Sequence, residues 1–329
     1  MVPFLHMDNT TVLVLSDPTE PQLAMLEQLP EETSLAVGNS LEAFENTASQ
    51  ADVIFNWSLS GAVLRDVFRM CPHVRWVHNR SAGLDNILFP EIVSSPVPLT
   101  NGSGVFSPSL GEFALAAILY FAKDLRRMIR NQEAGRWEQF DITEVIGQTV
   151  GIVGYGDIGR AVATRVKAMG MRVLAVKRHG APIYNVDPLV AHVYTPDRLH
   201  EMLPQCDYVV VAAPLTAETK SMIDAAAIAA MKPDAVIVNV GRGPVVDEQA
   251  LIDALSARRI KGAALDVFDR EPLPDGHPFY GLTNVLLSPH CADHTPDWLE
   301  RAMQFFIDQF ARYAKGEPLM NVVDKHLGY

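Results

Sequence analysis

Two series of short apolar, β-branched runs, each run followed by a helical pattern, predict an α/β protein built on two doubly wound parallel sheets. The first series is "TVLVLSD" (11–17), "ADVIFNW" (51–57), "VRWVHNR" (74–80) and "VPLTN" (97–101). The second opens with "TVGIVGYGDIGRAVATRVKAMGMRVLAV" (149–176). It continues with "DYVVVAAP" (207–214), "AVIVNVG" (235–241), "GAALDVF" (262–268) and "NVLLSPH" (284–290), with a helix expected over 247–260. Between the series the apolar spacing predicts one long helix over 107–135, with Ser107 before Pro108 as cap and first turn. A last helix over about 296–314 ends near Gly316. These patterns place the boundaries near residues 102 and 294. One domain is then 1–101 plus 295–329 and the other 102–294, with the C-terminal tail packing back on the first.

A chain of 329 residues is long enough for two such domains and a sizeable core. Apolar content of 48% and charged content of 20% are those of a globular protein in water. A formal net charge of -12 argues against a nucleic-acid partner, which normally meets a basic face. Cys71, Cys206 and Cys291 are too few and too scattered for a disulfide scaffold or a zinc site, so no metal is expected. No run approaches the roughly 20 apolar residues that cross a bilayer, so no membrane is expected either. The first residues lack the pattern of a signal peptide, and the final "HLGY" is not a peroxisomal address, so the expected location is the cytoplasm.

"GIVGYGDIG" sets Gly154, Gly156 and Gly159 in G-x-G-x-x-G spacing. Alone the pattern is weak. Here it follows an apolar strand, opens a helix with Ile158, Val162 and Val166 on one face, and is followed by a second strand. In that setting the first glycine permits a tight turn, the second lets backbone approach a pyrophosphate, and the third lets helix and strand pack closely. The helix N-terminus offers unpaired N–H groups to the phosphates. A glycine-rich turn without a ligand is the alternative.

The second strand of that unit runs out through "LAVKRHG" (174–180). An acid about 20 residues past the glycines normally holds the ribose 2′-OH of NAD. Lys177 stands there instead, 18 residues beyond Gly159, and Arg178 follows it. An acid would repel a 2′-phosphate and this pair would attract one, so the expected cofactor is NADP(H) in preference to NAD(H). The forked guanidinium of Arg178 suits the tighter contact. His179 reads as a bystander whose charge would make that affinity pH-dependent. The alternative is a solvated basic loop tip.

Three further strand ends carry reactive side chains, where ligands bind in such sheets. "NVGRGPVVDEQAL" sets Arg242 between two glycines. "ALDVFDREPLP" ends a strand at Asp266 and brings Glu271 five residues on. "LLSPHCADHT" sets His290 after Pro289. Each has a plain alternative: Arg242 as a helix cap or partner of Asp247, Asp266 as an N-cap, Glu271 as a surface turn residue, His290 as a core histidine.

Together, and in this order behind the glycine turn, they resemble the D-isomer-specific 2-hydroxyacid dehydrogenase family. "VGYGDIG", "APLTAET", "SAGLDN", the "NGSG…GEFALA" stretch and "PLMNVVD" extend the resemblance over nearly the whole chain. The basic pair is similar to the glyoxylate/hydroxypyruvate and hydroxyphenylpyruvate reductase branch, which uses NADPH. The resemblance implies a Rossmann-type NADP-binding domain, a flavodoxin-like substrate domain and a homodimer. It implies reduction of small 2-oxo acids to D-2-hydroxy acids: glyoxylate, hydroxypyruvate, or a relative such as phenylpyruvate.

By the same resemblance His290 is the general acid, Glu271 hydrogen-bonds its imidazole and favours the protonated form, and Arg242 binds the substrate's carboxylate and carbonyl oxygen. The cofactor is lined by Gly154, Tyr155, Gly156, Asp157, Ile158, Gly159, Lys177, Arg178, Ala213, Pro214, Thr219, Val240, Asp266 and His290. Asp266 holds the nicotinamide carboxamide. Substrate contacts come from backbone at Ala82 and Gly83, from Arg242 and His290, and from Trp57, which reads either as a core aromatic or as a wall selecting an apolar side chain. These roles match the chemistry. A carboxylate beside a ketone suits a forked cation, and reduction near neutral pH suits a histidine tuned by a carboxylate.

Cys291 and Asp293–His294 depart from the small residues common after the catalytic histidine, which makes His294 a competitor for the acid role. By the same resemblance the stretch 130–148 corresponds to the family's dimerisation arm, with Trp137 either in the dimer interface or reaching the partner's site. Two other readings stand beside the reductase. One is a non-catalytic dinucleotide-sensing protein like the corepressors of this fold. The other is a relative acting on formate or phosphite.

Overall fold

The computed structural model describes residues 9–178 and 187–329, so His179 lies outside the described residues. Its contacts separate into two compact units, Met1–Phe106 with Thr295–Tyr329 and Ser107–His294.

The first unit is a five-stranded sheet of β1 (Thr11–Leu15), β2 (Ser34–Gly38), β3 (Val53–Asn56), β4 (Trp76–Asn79) and β5 (Leu99–Asn101), with helices α1 (Gly61–Met70) and α2 (Pro90–Ser94). Its order is β2-β1-β3-β4-β5 and every pair is parallel, the flavodoxin-like arrangement. β1, β3 and β4 are buried almost throughout because helices cover both faces. On one face Leu64 and Val67 of α1 pack with Leu13, Leu15, Ile54 and Val77. On the other, Phe306 of the last helix stacks on Phe55 with ring centres 3.8 Å apart and lies 5.5 Å from Trp76. The tail then bridges antiparallel to β5 at Thr100 and Val322, with Val323 N–H donating to the Leu99 carbonyl. The sequence reading passes over β2. It is an edge strand whose first residues are exposed, so it lacks the apolar run that marks its neighbours.

The second unit begins with α3 (Ser107–Ala122) and α4 (Leu125–Glu133), where a single helix was expected. Asp124 explains the break. It sits at φ 47°, a left-handed conformation that a right-handed helix cannot continue through, and its carboxylate caps α4 by accepting from Arg127 N–H. There follow β6 (Thr149–Val153), α5 (Asp157–Ala168), β7 (Arg172–Val176), β8 (His192–Tyr194), α6 (Leu199–Met202), β9 (Tyr208–Val211), α7 (Ala225–Ala229), β10 (Val236–Asn239), α8 (Glu248–Ser256), β11 (Gly262–Leu265), α9 (Pro278–Gly281) and β12 (Val285–Leu287). The chain then returns to the first unit as α10 (Trp298–Ala314).

All strands of the second unit pair in parallel, in the order β12-β11-β10-β9-β6-β7-β8. Counted from β6, this is the Rossmann order with one strand added beyond β11. The winding reverses between β6 and β9, which fixes the ligand-binding switch point at their C-terminal ends. β8 was not foreseen: three residues at a sheet edge carry almost no periodic signal.

Candidate active site and dinucleotide turn

The glycine turn leaves β6 at the switch point. Gly154 has φ 96°, and a Cβ there would lie 2.5 Å from the Ala213 nitrogen, so only glycine fits between the ends of β6 and β9. A Cβ on Gly159 would meet the Gly154 carbonyl oxygen at 2.4 Å, which is the close helix–strand packing expected of the third glycine. At Gly156, the N-cap of α5, a Cβ would meet nothing within 4 Å. The turn therefore presents open space at the N-terminus of a 12-residue helix, a fit for an anionic group. Asp157 and Ile158 form the first turn of α5. Tyr155 is buried, and its hydroxyl donates to Asp187 at 2.8 Å while Arg160 Nε bonds the same carboxylate oxygen at 3.2 Å. Burial, then the bond to Asp187, pushes the Tyr155 phenol above its ordinary pKa.

Lys177 and Arg178 leave β7 half-buried, with Lys177 N–H donating to the Tyr194 carbonyl. Arg178 Nη2 lies 2.8 Å from Glu218 Oε2, in the loop after β9. In that loop Ala213 is buried and Pro214 exposed. Thr219 donates its hydroxyl to the Pro214 carbonyl at 2.6 Å and accepts from Thr216 N–H at 2.8 Å.

Arg242 follows β10 at a bend fixed from inside. Asn239 is 1% exposed; its Nδ2 donates to the Arg242 carbonyl at 3.0 Å and its Oδ1 accepts from Gly241 N–H at 3.1 Å. Val240 is buried and bonds back to Val211. A Cβ on Gly243 would sit 2.0 Å from the Phe268 carbonyl carbon, so the Arg242 bend lies directly on the backbone that leads to Glu271. Asp247, the alternative partner for Arg242, caps α8 through Ala250 N–H.

His290 Nδ1 and Glu271 Oε2 are 2.6 Å apart. Glu271 Oε1 meanwhile accepts from Phe268 N–H at 2.9 Å, which fixes the carboxylate. With Glu271 ionised, Nδ1 donates, and Nε2 is the ring atom left to carry or release a second proton. His290 has φ 52°. Asp266, 1% exposed, holds that unusual turn: its Oδ1 accepts from Ser288 Oγ at 2.6 Å, Cys291 N–H at 3.0 Å and Ala292 N–H at 3.1 Å. His294 is placed differently. Its Nε2 is 3.7 Å from Asp293 Oδ1, beyond hydrogen-bond range, and burial raises the Asp293 carboxyl pKa.

The second unit thus brings Glu271 and His290 into contact, with Asp266 beneath them and the Arg242 bend against Phe268. Asn239, Ser288 and Asp187 were not named from sequence. The first is legible in principle as a polar residue closing an apolar run; the others depend on contacts far apart in the chain.

In the first unit Ala82 and Gly83 follow β4. Asn101 Nδ2 donates to the Ala82 carbonyl at 2.7 Å, and Asn79 Nδ2 donates to the carbonyls of Ser81 and Gly83. The Ala82 and Gly83 N–H groups have no partner among the described residues. Trp57 follows β3 and is 1% exposed, packed edge-on to Phe55 and 4.7 Å from the Arg80 guanidinium carbon. In the structure it is a core aromatic.

Two parallel-sheet α/β units, one with a Rossmann order and glycine turn, define the class: a protein with an NAD-binding domain. The chain belongs to the D-isomer specific 2-hydroxyacid dehydrogenase family, whose NAD binding domain matches residues 115–292. It is 34% identical to a glyoxylate reductase of Thermococcus gammatolerans over 278 residues, 82% of each chain. Among solved structures, the NADPH-dependent glyoxylate/hydroxypyruvate reductase of Sinorhizobium meliloti in complex with NADP and sulfate is 28% identical, covering 98% of this chain and all of that one, with a TM-score of 0.84. A D-isomer specific 2-hydroxyacid dehydrogenase from Xanthobacter autotrophicus, in complex with NADPH and MES, covers the same shares at 28% identity and a TM-score of 0.82. Among the described residues no helix is long and apolar enough to cross a membrane.

Proposed function

We propose that this chain is an NADPH-dependent reductase of small 2-oxo acids, glyoxylate and hydroxypyruvate foremost, forming D-2-hydroxy acids with His290 as general acid. The observation that carries the reading is the 2.6 Å bond between His290 Nδ1 and Glu271 Oε2 in a Rossmann unit with an open glycine turn. The family relationship and the NADP-bound neighbours support it.

The Gly154–Gly159 turn and the N-terminus of α5 would hold the pyrophosphate, and Lys177 and Arg178 the 2′-phosphate. Ala213, Pro214, Thr219, Val240 and Asp266 would line the remainder. When bound, the cofactor supplies the hydride. His290 Nε2 gives its proton to the substrate's carbonyl oxygen, while Glu271 stabilises the imidazolium through Nδ1. Arg242 fixes the carboxylate and polarises the carbonyl, a task for a planar fork of donors. The open N–H groups of Ala82 and Gly83 are proposed as carboxylate donors. Asp266 has a second task, keeping the His290 turn in its left-handed form.

Trp137 is 95% exposed, and Ile142 and Ile146 beside it are more than half exposed. An apolar arm of this kind fits a homodimer, which sedimentation would report as twice the chain mass. We place the reaction in the cytosol, where NADPH would drive it toward reduction.

Substituting His290→Ala tests the central role. Turnover should fall by about 10²–10⁴-fold, the usual worth of a general acid, while NADPH binding stays close to that of the parent. Unaltered turnover would transfer the role to His294 or to water.

A further inference from the structure

The cation assigned to the 2′-phosphate already has an anion on it. Arg178 Nη2 contacts Glu218 Oε2 at 2.8 Å; the Arg178 side chain is 21% exposed and that of Glu218 68%. Glu218 does not reach Arg178 from a loose loop. Thr216 N–H donates to Thr219 Oγ1 at 2.8 Å, Thr219 N–H to the Thr216 carbonyl at 3.2 Å, Lys220 N–H to the same carbonyl at 3.0 Å, and Thr219 Oγ1 to the Pro214 carbonyl at 2.6 Å. These bonds lock the turn that carries Glu218. A carboxylate from the loop after β9 is thereby presented to the end of β7 on a fixed support.

We propose that Glu218 is a specificity-determining residue for the cofactor: its carboxylate occupies Arg178 in place of the 2′-phosphate and competes with it. The inference rests on the assignment of Arg178 to that phosphate. The competition follows from charge. A phosphate monoester carries between one and two negative charges near neutral pH, and at this guanidinium it must either displace Glu218 or share the cation with it at close range. NADH brings a neutral hydroxyl and leaves the pair intact. Glu218 therefore weakens NADPH and spares NADH, which narrows the preference that Lys177 and Arg178 create. Glu218 is largely exposed, so solvent and salt reduce the effect. An exposed ion pair is worth enough to change NADPH affinity by about 2- to 5-fold.

The test is a set of dissociation constants for NADPH and NADH, measured by titration calorimetry at low salt on the full chain. The proteins are the parent, Glu218→Gln, Arg178→Gln and the double variant. Glu218→Gln should tighten NADPH by about 2- to 5-fold, leave NADH unchanged, and have no effect on NADPH once Arg178 is gone. NADPH binding that is unchanged or weaker in Glu218→Gln, or an equal change for both cofactors, would overturn the role given to Glu218. Loss of affinity for NADPH and NADH alike in Arg178→Gln would instead overturn the 2′-phosphate assignment on which the inference stands.

Discussion

His290 and His294 are four positions apart, and their surroundings separate them. His290 has a carboxylate at 2.6 Å that is itself anchored by a backbone N–H; His294 has one at 3.7 Å. The short, anchored contact at His290 fixes its ring and its tautomer. A third histidine shows the opposite design. His78 is 0% exposed among Trp76, Phe305 and Phe306, and burial pushes its pKa down to about 3. Trp76 Nε1 donates to Thr100 Oγ1, and that oxygen is hydrogen-bonded to His78 Nδ1 at 2.7 Å. The unfolded chain takes up a proton on this ring near pH 6.5 and the folded chain does not, so stability is lost as pH falls from about 6.5 toward about 3. Each pH unit in that window costs up to about 1.4 kcal/mol from this group alone. Urea unfolding at pH 7, 6 and 5 should show the decline, and His78→Gln should flatten it. An equal slope in both proteins would remove His78 as the cause.

Strand ends and their bends carry the site, and here the legible and the hidden part company. Gly154, Gly156, Gly159, Arg242, Glu271 and His290 stand at spacings that local sequence displays, because they lie within a few residues of the ends of β6, β10, β11 and β12. What aims them is a second set of residues, one near in sequence and one far. Asn239 ties the Arg242 bend from within, and Asp266 gathers Ser288, Cys291 and Ala292, more than twenty residues away in sequence. The same division explains the secondary structure. The buried strands β3, β6, β9 and β10 read as continuous apolar runs, whereas β2 and β8 lie at edges and read as loop. The break between α3 and α4 was missed because the helical apolar spacing runs on past it while Asp124 reverses its φ. Asp266 gives the sharpest test at this scale. Asp266→Asn turns charge-assisted bonds into neutral ones and should lower the unfolding free energy by about 1–3 kcal/mol. It should also slow turnover, by loosening the turn that holds His290. Unchanged stability and rate would show that the turn stands without that charge.

At the scale of the molecule, two doubly wound sheets share one chain, and the chain path explains why the last helix belongs to the first unit. α10 lays Phe306 on Phe55 and Trp76, and Val323 bonds to β5. The fold class was legible because alternating apolar runs and helices have few parallel solutions. In the proposed reading the cofactor preference rests on Lys177 and Arg178, which follow β7, and nothing near them in sequence announces Glu218. The direct test of the account is the initial rate of NADPH oxidation beside that of NADH, with glyoxylate and with hydroxypyruvate. The account predicts rapid NADPH oxidation with at least one of them and a slower rate with NADH. Binding of NADPH with no oxidation of either cofactor would contradict it, and would leave a dinucleotide-sensing protein in its place.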